Sequence, residues 1–479
     1  MNNMKTKNAV WVILTGVFSY FFYQETLGWN LAIFTILLII GRLLINSSKV
    51  KDFSWLATAI AGVISAISVA LYGNTLSIIA NLISIVLLVG MDRGMHASVV
   101  SSLLEGTYSL ISSPIFMVLD LLEKKSTDNR VKMINKIILI AIIPVLIVIV
   151  FFFMYRSSNA IFEQLTNQLN FKWFSFGWIF FTLMGMALIY GFYKVIAIKE
   201  LNLLNDYSSH SIRKENTKTF ILFEKEISIN EEYLSGVLLL VLLNILLFFV
   251  NLGDFHFLFI SHKLPENVTF ASFLHQGVGM LIVSILISIF IIIFYFRGSL
   301  NFYEKSKSFK IWAFIWIVQN VLMLGSVVSK NALYIDAYGL TYKRIGIYVY
   351  VLLTIIGLVT TALKIIKVKN IYYLIRINGW SFFVVLVLSS LIHWDKLIIN
   401  ENQSLKRDID IYYLLSLSDS ILPDLKKVEN NIRDKEEKVK YHQLLEQKIR
   451  LFQLNQEKLT WKSSNIIDYK TYKLLTKSN

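Results

Sequence analysis

Cysteine is absent from the 479 residues, which excludes disulfides, a thiolate nucleophile and any Cys-ligated metal. Proline occurs only four times, so long apolar helices can run with few kinks. Charge is scarce: 16% of residues are Asp, Glu, Lys or Arg, against about 25% in soluble domains. What fills the chain instead is hydrocarbon, with 55% hydrophobic residues and a mean hydropathy of +0.59. Apolar runs of roughly 17–25 residues recur from end to end, the length that crosses a bilayer core of about 30 Å. The expected fold class is therefore all-α: a polytopic integral membrane helical bundle whose main partner is the lipid bilayer. The net charge of +15 would also suit nucleic acid. Lys and Arg collect in short connections, however, as membrane topology requires, and no basic stripe with stacking aromatics occurs. A nucleic-acid partner is not expected.

Eleven spans are predicted, near residues 9–23, 27–45, 54–72, 75–91, 134–154, 175–193, 232–252, 277–296, 311–328, 345–363 and 372–391. The opening "MNNMKTKNAVWVILTGVFSYFFYQ" is basic and then apolar, lacks an A-x-A cleavage site, and is read as a retained first helix. Alternate connections differ sharply in charge. One set carries Lys5 and Lys7, then Arg42, Lys49 and Lys51, then Arg93, Lys124 and Lys125, and later Arg297 and Lys364. The opposite connections are poorer: "QETL" and "YGNT" carry no base, and the later ones carry Arg156 and Lys172, then Lys263, then Lys330, Lys343 and Arg344. The positive-inside rule then places the N-terminus in the cytoplasm, in a cell inner (plasma) membrane. Residues 1–391 form the membrane part on this reading, with a cytoplasmic loop at about 195–231.

Residues 97–123, "ASVVSSLLEGTYSLISSPIFMVLDLLE", could upset the count. Their apolar positions share one helix face, serines recur from Ser98 to Ser113, and bases flank both ends. An interfacial amphipathic helix broken near Pro114 is expected, with a true span as the alternative. Residues 392–479 change character again, with sixteen Lys and Arg against thirteen Asp and Glu. Apolar residues recur at helical spacing from Leu425 to Leu459. This is a helical tail, one short helix and one long one, on the extracytoplasmic side. It is either solvated or a docking surface for a protein partner or the membrane.

Motifs for chemistry are lacking. No H-E-x-x-H, G-x-S-x-G, Walker loop or usable G-x-G-x-x-G occurs, so no catalytic residue, metal or cofactor is assigned. No ionisable group falls near the centre of a predicted span, the usual mark of a proton relay. The central polar residues are the amides Asn81, Asn244, Gln319 and Asn320, which should bond to neighbouring helices. Several polar residues converge instead at the outer ends of spans: Asn251 and Asp254, Gln276, and the connection "NALYIDAYGLTYKR" with Asp336, Tyr338, Thr341 and Arg344. Asp336 and Arg344 are near enough in sequence to pair across a hairpin turned at Gly339. This cluster is either a lock on helix ends or a shallow outer-face binding site.

That connection also carries a resemblance. "SVVSKNALYIDAYGLTYKR" resembles the signature of a bacterial family of multi-spanning membrane proteins of unknown function. The matching positions are Ser326, Lys330, Leu333, Tyr334, Asp336, Ala337, Tyr338, Gly339, Leu340, Thr341 and Arg344. "FASFLHQGVGMLIVSIL" is similar to the family's Gln-Gly pair, on Gln276 and Gly277. "DIDIYYLLSLSDSILPDL" is similar to its Asp-x-x-Tyr-Leu-x-x-Leu-Ser ending, on Asp410, Tyr413, Leu414, Leu417 and Ser418. Lys330 and Asp336 stand where Arg and Glu are common. The resemblance implies architecture and a bacterial inner-membrane location, and no activity. The function expected is membrane transport or an envelope role that handles a small or lipidic ligand at the outer face. The alternative is a sensor or scaffold with a partner-binding tail, and the third is a lipid-modifying membrane enzyme.

Overall fold

The computed structural model describes residues 2–93, 98–123, 144–145, 148, 151–152, 154–156, 158–168, 176–196, 198, 211–212, 220–222, 225–261, 270–404, 410–430, 432 and 434–477. The apolar runs form helices, and polar or glycine breaks end them. The first four are α1 (Asn2–Phe22), α2 (Trp29–Ile45), α3 (Phe53–Tyr72) and α4 (Thr75–Gly90). Asp52 and Asn74 cap α3 and α4 by accepting from the backbone N–H groups of Ser54 and Ser77. Then come α5 (Val99–Glu123), α6 (Ala160–Gln168) and α7 (Phe176–Tyr193). A small antiparallel hairpin, β1 (Phe220–Leu222) and β2 (Lys225–Ile227), precedes α8 (Ile229–His256), which starts on a Ser228–Glu231 capping box. The apolar part ends with α9 (Phe270–Tyr295), α10 (Ser306–Tyr338), α11 (Tyr342–Ile366) and α12 (Ile371–Ser390). Among the described residues, six helices are long and apolar enough to cross a membrane: those of α3, α5, α8, α10, α11 and α12. Shorter apolar helices lie within α1, α2, α4, α7 and α9. Most of the expected span at 134–154 and of the loop at 195–231 lies outside the described residues.

Buried side chains fall into two main cores in the apolar part. The first draws on α1 to α5 and α7, and the second on α8 to α11. Helix α12 joins them. Its Phe383 and Val387 belong to the first core, while Asn378 Nδ2 donates to Thr360 Oγ1 of α11 at 3.1 Å.

The helices have two chemically distinct ends. At one, Arg42 of α2 pairs with Asp92 and donates to the carbonyl of Tyr193 at 2.9 Å, tying the ends of α2, α4 and α7. Arg297 after α9 pairs with Glu232 at the start of α8 at 3.0 Å. Lys364, buried in the last turn of α11, donates to Phe296 O at 2.7 Å. At the other end the turns after α1, α3 and α10 meet the tail.

Helix α5 runs unbroken through Pro114, where a break was expected. Proline removes the N–H that would reach the Leu110 carbonyl. The Ser113 hydroxyl donates to that carbonyl at 2.6 Å, so the acceptor is not orphaned. The face holding Ser98, Ser102, Glu105, Ser109 and Ser113 is buried, and Leu104, Tyr108, Ile111, Ile115 and Leu119 point outward. Gly90 and Gly106 leave no room for a Cβ where α4 and α5 cross. Along its whole length α5 meets the basic end of the bundle: Gly90 near its start, Gly191 at Ser109, and Lys194 at Asp120.

The tail is more than the two helices read from the sequence. It forms α13 (Trp394–Ser404), α14 (Ile411–Leu415), α15 (Leu422–Glu429), α16 (Lys435–Lys458) and α17 (Ile466–Lys477). They share a third core of Ile398, Ile399, Leu414, Leu417, Leu425, Tyr441, Leu445 and Phe452, among others. Leu340, from the α10–α11 turn, and Ile345, from the first turn of α11, are buried in that same core. The tail is thus built onto the helical hairpin below it.

Candidate functional site

Helix α10 has 33 residues, about 50 Å at 1.5 Å per residue. It is longer than a bilayer core of about 30 Å is thick. The helix continues through Asp336 to Tyr338, and only Gly339 to Thr341 form the turn. Gly339 has φ +81°, the left-handed side that favours glycine, and it ends the helix as expected. A Cβ there would also sit 2.6 Å from Asn402 Oδ1.

Arg344, in the first turn of α11, folds back over this helix end. Its Nη1 donates to the Tyr338 carbonyl at 2.9 Å and to that of Gly339, and its guanidinium lies 4.1 Å from the Tyr334 ring centroid. The orphan carbonyls at a helix C-terminus carry partial negative charge and welcome a cation. Asn331 Nδ2 in turn donates to the Arg344 carbonyl at 3.1 Å. The expected Asp336–Arg344 pair does not form. Helical residues advance about 100° each, so Asp336 lies opposite the Tyr334–Tyr338 face that Arg344 covers, and it is exposed. Tyr338 is 52% exposed, and Thr341 occupies the N-cap position of α11 without a side-chain capping bond.

The tail grips the turn from above. Asn402 Oδ1 accepts from Leu340 N at 2.6 Å and its Nδ2 donates to Leu340 O at 3.0 Å. Tyr413 OH accepts from Tyr342 N at 2.9 Å. Buried Asp395 accepts from Tyr342 OH at 2.8 Å and from Ser418 Oγ at 2.6 Å. Two of the three stretches that carried the resemblance therefore touch: Gly339–Arg344 and Asp410–Ser418. The third does not enter the clasp among the described residues. Gln276 lies within α9, and its side chain lies outside the described residues.

Asn251 and Asp254 belong to a second arrangement, a polar seam between α8 and α10. Gln319 Nε2 donates to Asn244 Oδ1 at 2.7 Å, and Asn251 Nδ2 donates to Gln319 O at 3.1 Å. Asp254 then accepts from Ser326 Oγ and Lys330 Nζ, both at 2.5 Å. Asn244 and Asn251 are seven residues apart on α8, as are Gln319 and Ser326 on α10, the spacing that keeps one face toward a partner helix. Of the four amides expected to bond neighbouring helices, Asn244 and Gln319 do so here and Asn81 does so with Ser65 at 3.1 Å, whereas Asn320 donates within its own helix, to Trp316 O at 2.7 Å.

A further contact set was not singled out from the sequence. Glu25, in the turn after α1, accepts from Thr460 Oγ1 and Ser463 Oγ at 2.6 Å and pairs with Lys462 at 2.8 Å. Gly28 sits against the backbone of Ser463 and Ser464, and Trp29 N donates to Ser464 O at 3.1 Å. The available signal was the base-free "QETL" connection followed by glycine, on the side already assigned to the tail. No group of three or more His, Cys, Asp or Glu that could hold a metal ion occurs among the described residues.

The comparison that carries weight is with protein families. Residues 9–428 match the domain of unknown function DUF4153, most of the chain. The chain belongs to the DUF4153 family. No curated protein and no solved structure matches it. The DUF4153 match contains the turn at Gly339, Arg344, Asn402 and the helices α13 to α15, and it stops before α16 and α17.

Proposed function

We propose that this DUF4153 protein is a non-enzymatic, multi-pass membrane protein of transport or envelope type, with the tail as an external clamp over two helical bundles. The reading has eleven crossings, a cytoplasmic N-terminus and an extracytoplasmic tail, with α5 lying at the inner interface. The observation that carries it is the contrast between a thin joint and a broad clamp. Within the apolar part α12 packs on α11 to one side and on α3, α4 and α5 to the other. Its flanks at Ile375, Phe382, Val384 and Leu388 stay exposed. At one end, the tail holds both the α10–α11 turn and the α1–α2 turn. Bundles hinged on one helix and tied at one end suit a small or lipidic ligand passing between or beside them.

Of the polar residues at these helix ends, Arg344 is spent on the α10–α11 turn and Asn251 and Asp254 on the α8–α10 seam, which favours a structural role for these three, while Asp336 and Tyr338 stay exposed. The same engagement disfavours a lipid-modifying enzyme. A sensor or scaffold reading keeps one supporting feature: Val439, Leu444, Leu451 and Leu454 on α16 are exposed away from the tail core. Reporter fusions test the topology. Fusions inserted after Glu25 and after Lys477 should both report the outside, and one after Ile212 the cytoplasm. A cytoplasmic signal after Lys477 would overturn the clamp's placement.

A further inference from the structure

At the basic end of the first bundle, the described residues include a group of cations with fewer carboxylate partners than cations. Arg42 and Lys49 both pair with Asp92, the latter at 3.2 Å. Lys194 pairs with Asp120, which also accepts from the Tyr190 hydroxyl. Lys7, near the start of α1, is the fourth cation in this group: Val10 of the next turn packs against Gly41, beside Arg42, and Trp11 lies against the Tyr190 ring that Lys194 covers. Among the described residues no carboxylate lies within ion-pair distance of it. Burial and the neighbouring Arg42 and Lys194 push its ammonium below the usual lysine value, with Asp120 and Asp92 opposing less strongly. Among the described residues of this group, four cations thus share two carboxylates, and both carboxylates are already engaged.

The surroundings supply hydrocarbon beside this charge. Helices α1 and α5 both pack on α7. Trp11 stands 6.0 Å from the Tyr190 ring, one turn along α1 from Lys7. Val12 and Ile13 of α1 are exposed, as are Ile111, Ile115 and Leu119 of α5. The feature is amphiphilic: a cationic head region at the helix ends and apolar strips running from it. An ammonium held against like charges is relieved by an anion, and guanidinium and ammonium groups both bind phosphate oxygens through charge-assisted hydrogen bonds.

We propose that Lys7, with Arg42 and Lys194 beside it, binds the phosphodiester of an anionic membrane lipid, whose acyl chains run down the exposed face of α1 and under the outward apolar side chains of α5. A lipid is favoured over a free anion because the cluster opens beside apolar surface that a phosphate ion alone would leave uncovered. The inference needs the chain to sit in a bilayer and is independent of the clamp.

The test uses the full chain in a neutral detergent. Thermal unfolding is followed while phosphatidylglycerol, phosphatidylcholine or inorganic phosphate is added, and lipid retention is read by native mass spectrometry. Phosphatidylglycerol should stabilise at about a tenth of the concentration that phosphatidylcholine needs, the factor expected from one charge-assisted contact. Lys7→Gln should abolish that preference and Lys7→Arg should keep it. Lys51→Gln, which removes an exposed base at the same end, should leave it intact. Equal effects of the two lipids on the unsubstituted chain overturn the proposal, as does a preference that survives Lys7→Gln. Full stabilisation by inorganic phosphate alone overturns the lipid assignment. If Lys7→Gln does not fold, selective retention of phosphatidylglycerol by the unsubstituted and Lys7→Arg chains still decides, because its absence overturns the site.

Discussion

Asn402→Asp changes one atom of the clasp between tail and turn. In the native chain the Asn402 side chain serves both backbone groups of Leu340, accepting at 2.6 Å and donating at 3.0 Å, and it is 5% exposed. An aspartate keeps the shape and the acceptor. It replaces the donor with a second oxygen facing the Leu340 carbonyl. The ionised form leaves that carbonyl unsatisfied, worth about 1–3 kcal/mol, and adds repulsion between two oxygens, so a total loss of about 2–4 kcal/mol is expected at pH 7.5. The protonated form can donate and restores the bond. The folded state therefore holds this proton more tightly than the unfolded chain, whose Asp titrates near ~3.9. At 1.36 kcal/mol per unit, the penalty corresponds to a folded value of about 5.5–7. A raised carboxyl value contributes stability at low pH and loses it as pH rises. The variant's deficit should shrink steadily between pH 7.5 and 5. Protease resistance of the tail against temperature, in detergent, measures it. Asn402→Leu serves as the control, because its deficit has no titrating group to relieve it. The reasoning fails if Asn402→Asp matches the native chain at pH 7.5, or if its deficit grows as pH falls.

Asp336→Ala should change stability by less than about 0.5 kcal/mol, since Asp336 is exposed and makes no pair with Arg344. Arg344→Met should cost about 2–4 kcal/mol in the same melts by uncapping α10, and reversing the charges at 336 and 344 together should not restore the loss. Glu25→Gln should loosen the tail from the α1–α2 turn. Burial opposes ionisation of Glu25, but hydrogen bonds from Lys462, Ser463 and Thr460 outweigh it and hold the carboxyl below its ordinary value. Its contribution is present above about pH 4.5 and is lost as pH falls through the folded value. The glutamine variant should lack that acid-dependent step in hydrogen exchange of residues 460–465.

The helices and their charged ends were legible because hydropathy and loop charge are local quantities. The turn at Gly339 was legible too, since one residue type meets a backbone need. The Asp336–Arg344 pairing failed for a geometric reason. Sequence proximity suggested a loop, whereas the helix persists to Tyr338 and turns Asp336 away. The tail core escaped because Ile398, Ile399, Ile411 and Leu422 sit on short helices, each too brief to show a period. Contacts such as Glu25 with Ser463 join segments more than 430 residues apart, and no periodicity in a single chain marks such a pairing.

The ties that the tail makes to the α10–α11 and α1–α2 turns differ in where they lie along the chain. The clasp on the α10–α11 turn uses Asp395, Asn402, Tyr413 and Ser418, all inside the DUF4153 match. The tie to the α1–α2 turn uses Thr460, Lys462, Ser463 and Ser464, all beyond its end at residue 428. The first tie fixes the tail to the second bundle, and only with the second does the tail reach the turn between α1 and α2. Glu25→Gln therefore probes the link between the bundles, and Asn402→Asp probes the seat of the tail itself. The sites share no partner, so their effects on tail unfolding should add within about 0.3–0.5 kcal/mol if the tail core is soft. If the tail acts as one rigid strap between the bundles, the double variant should depart from additivity by more than that, and the sign of the departure reports whether one tie strains the other.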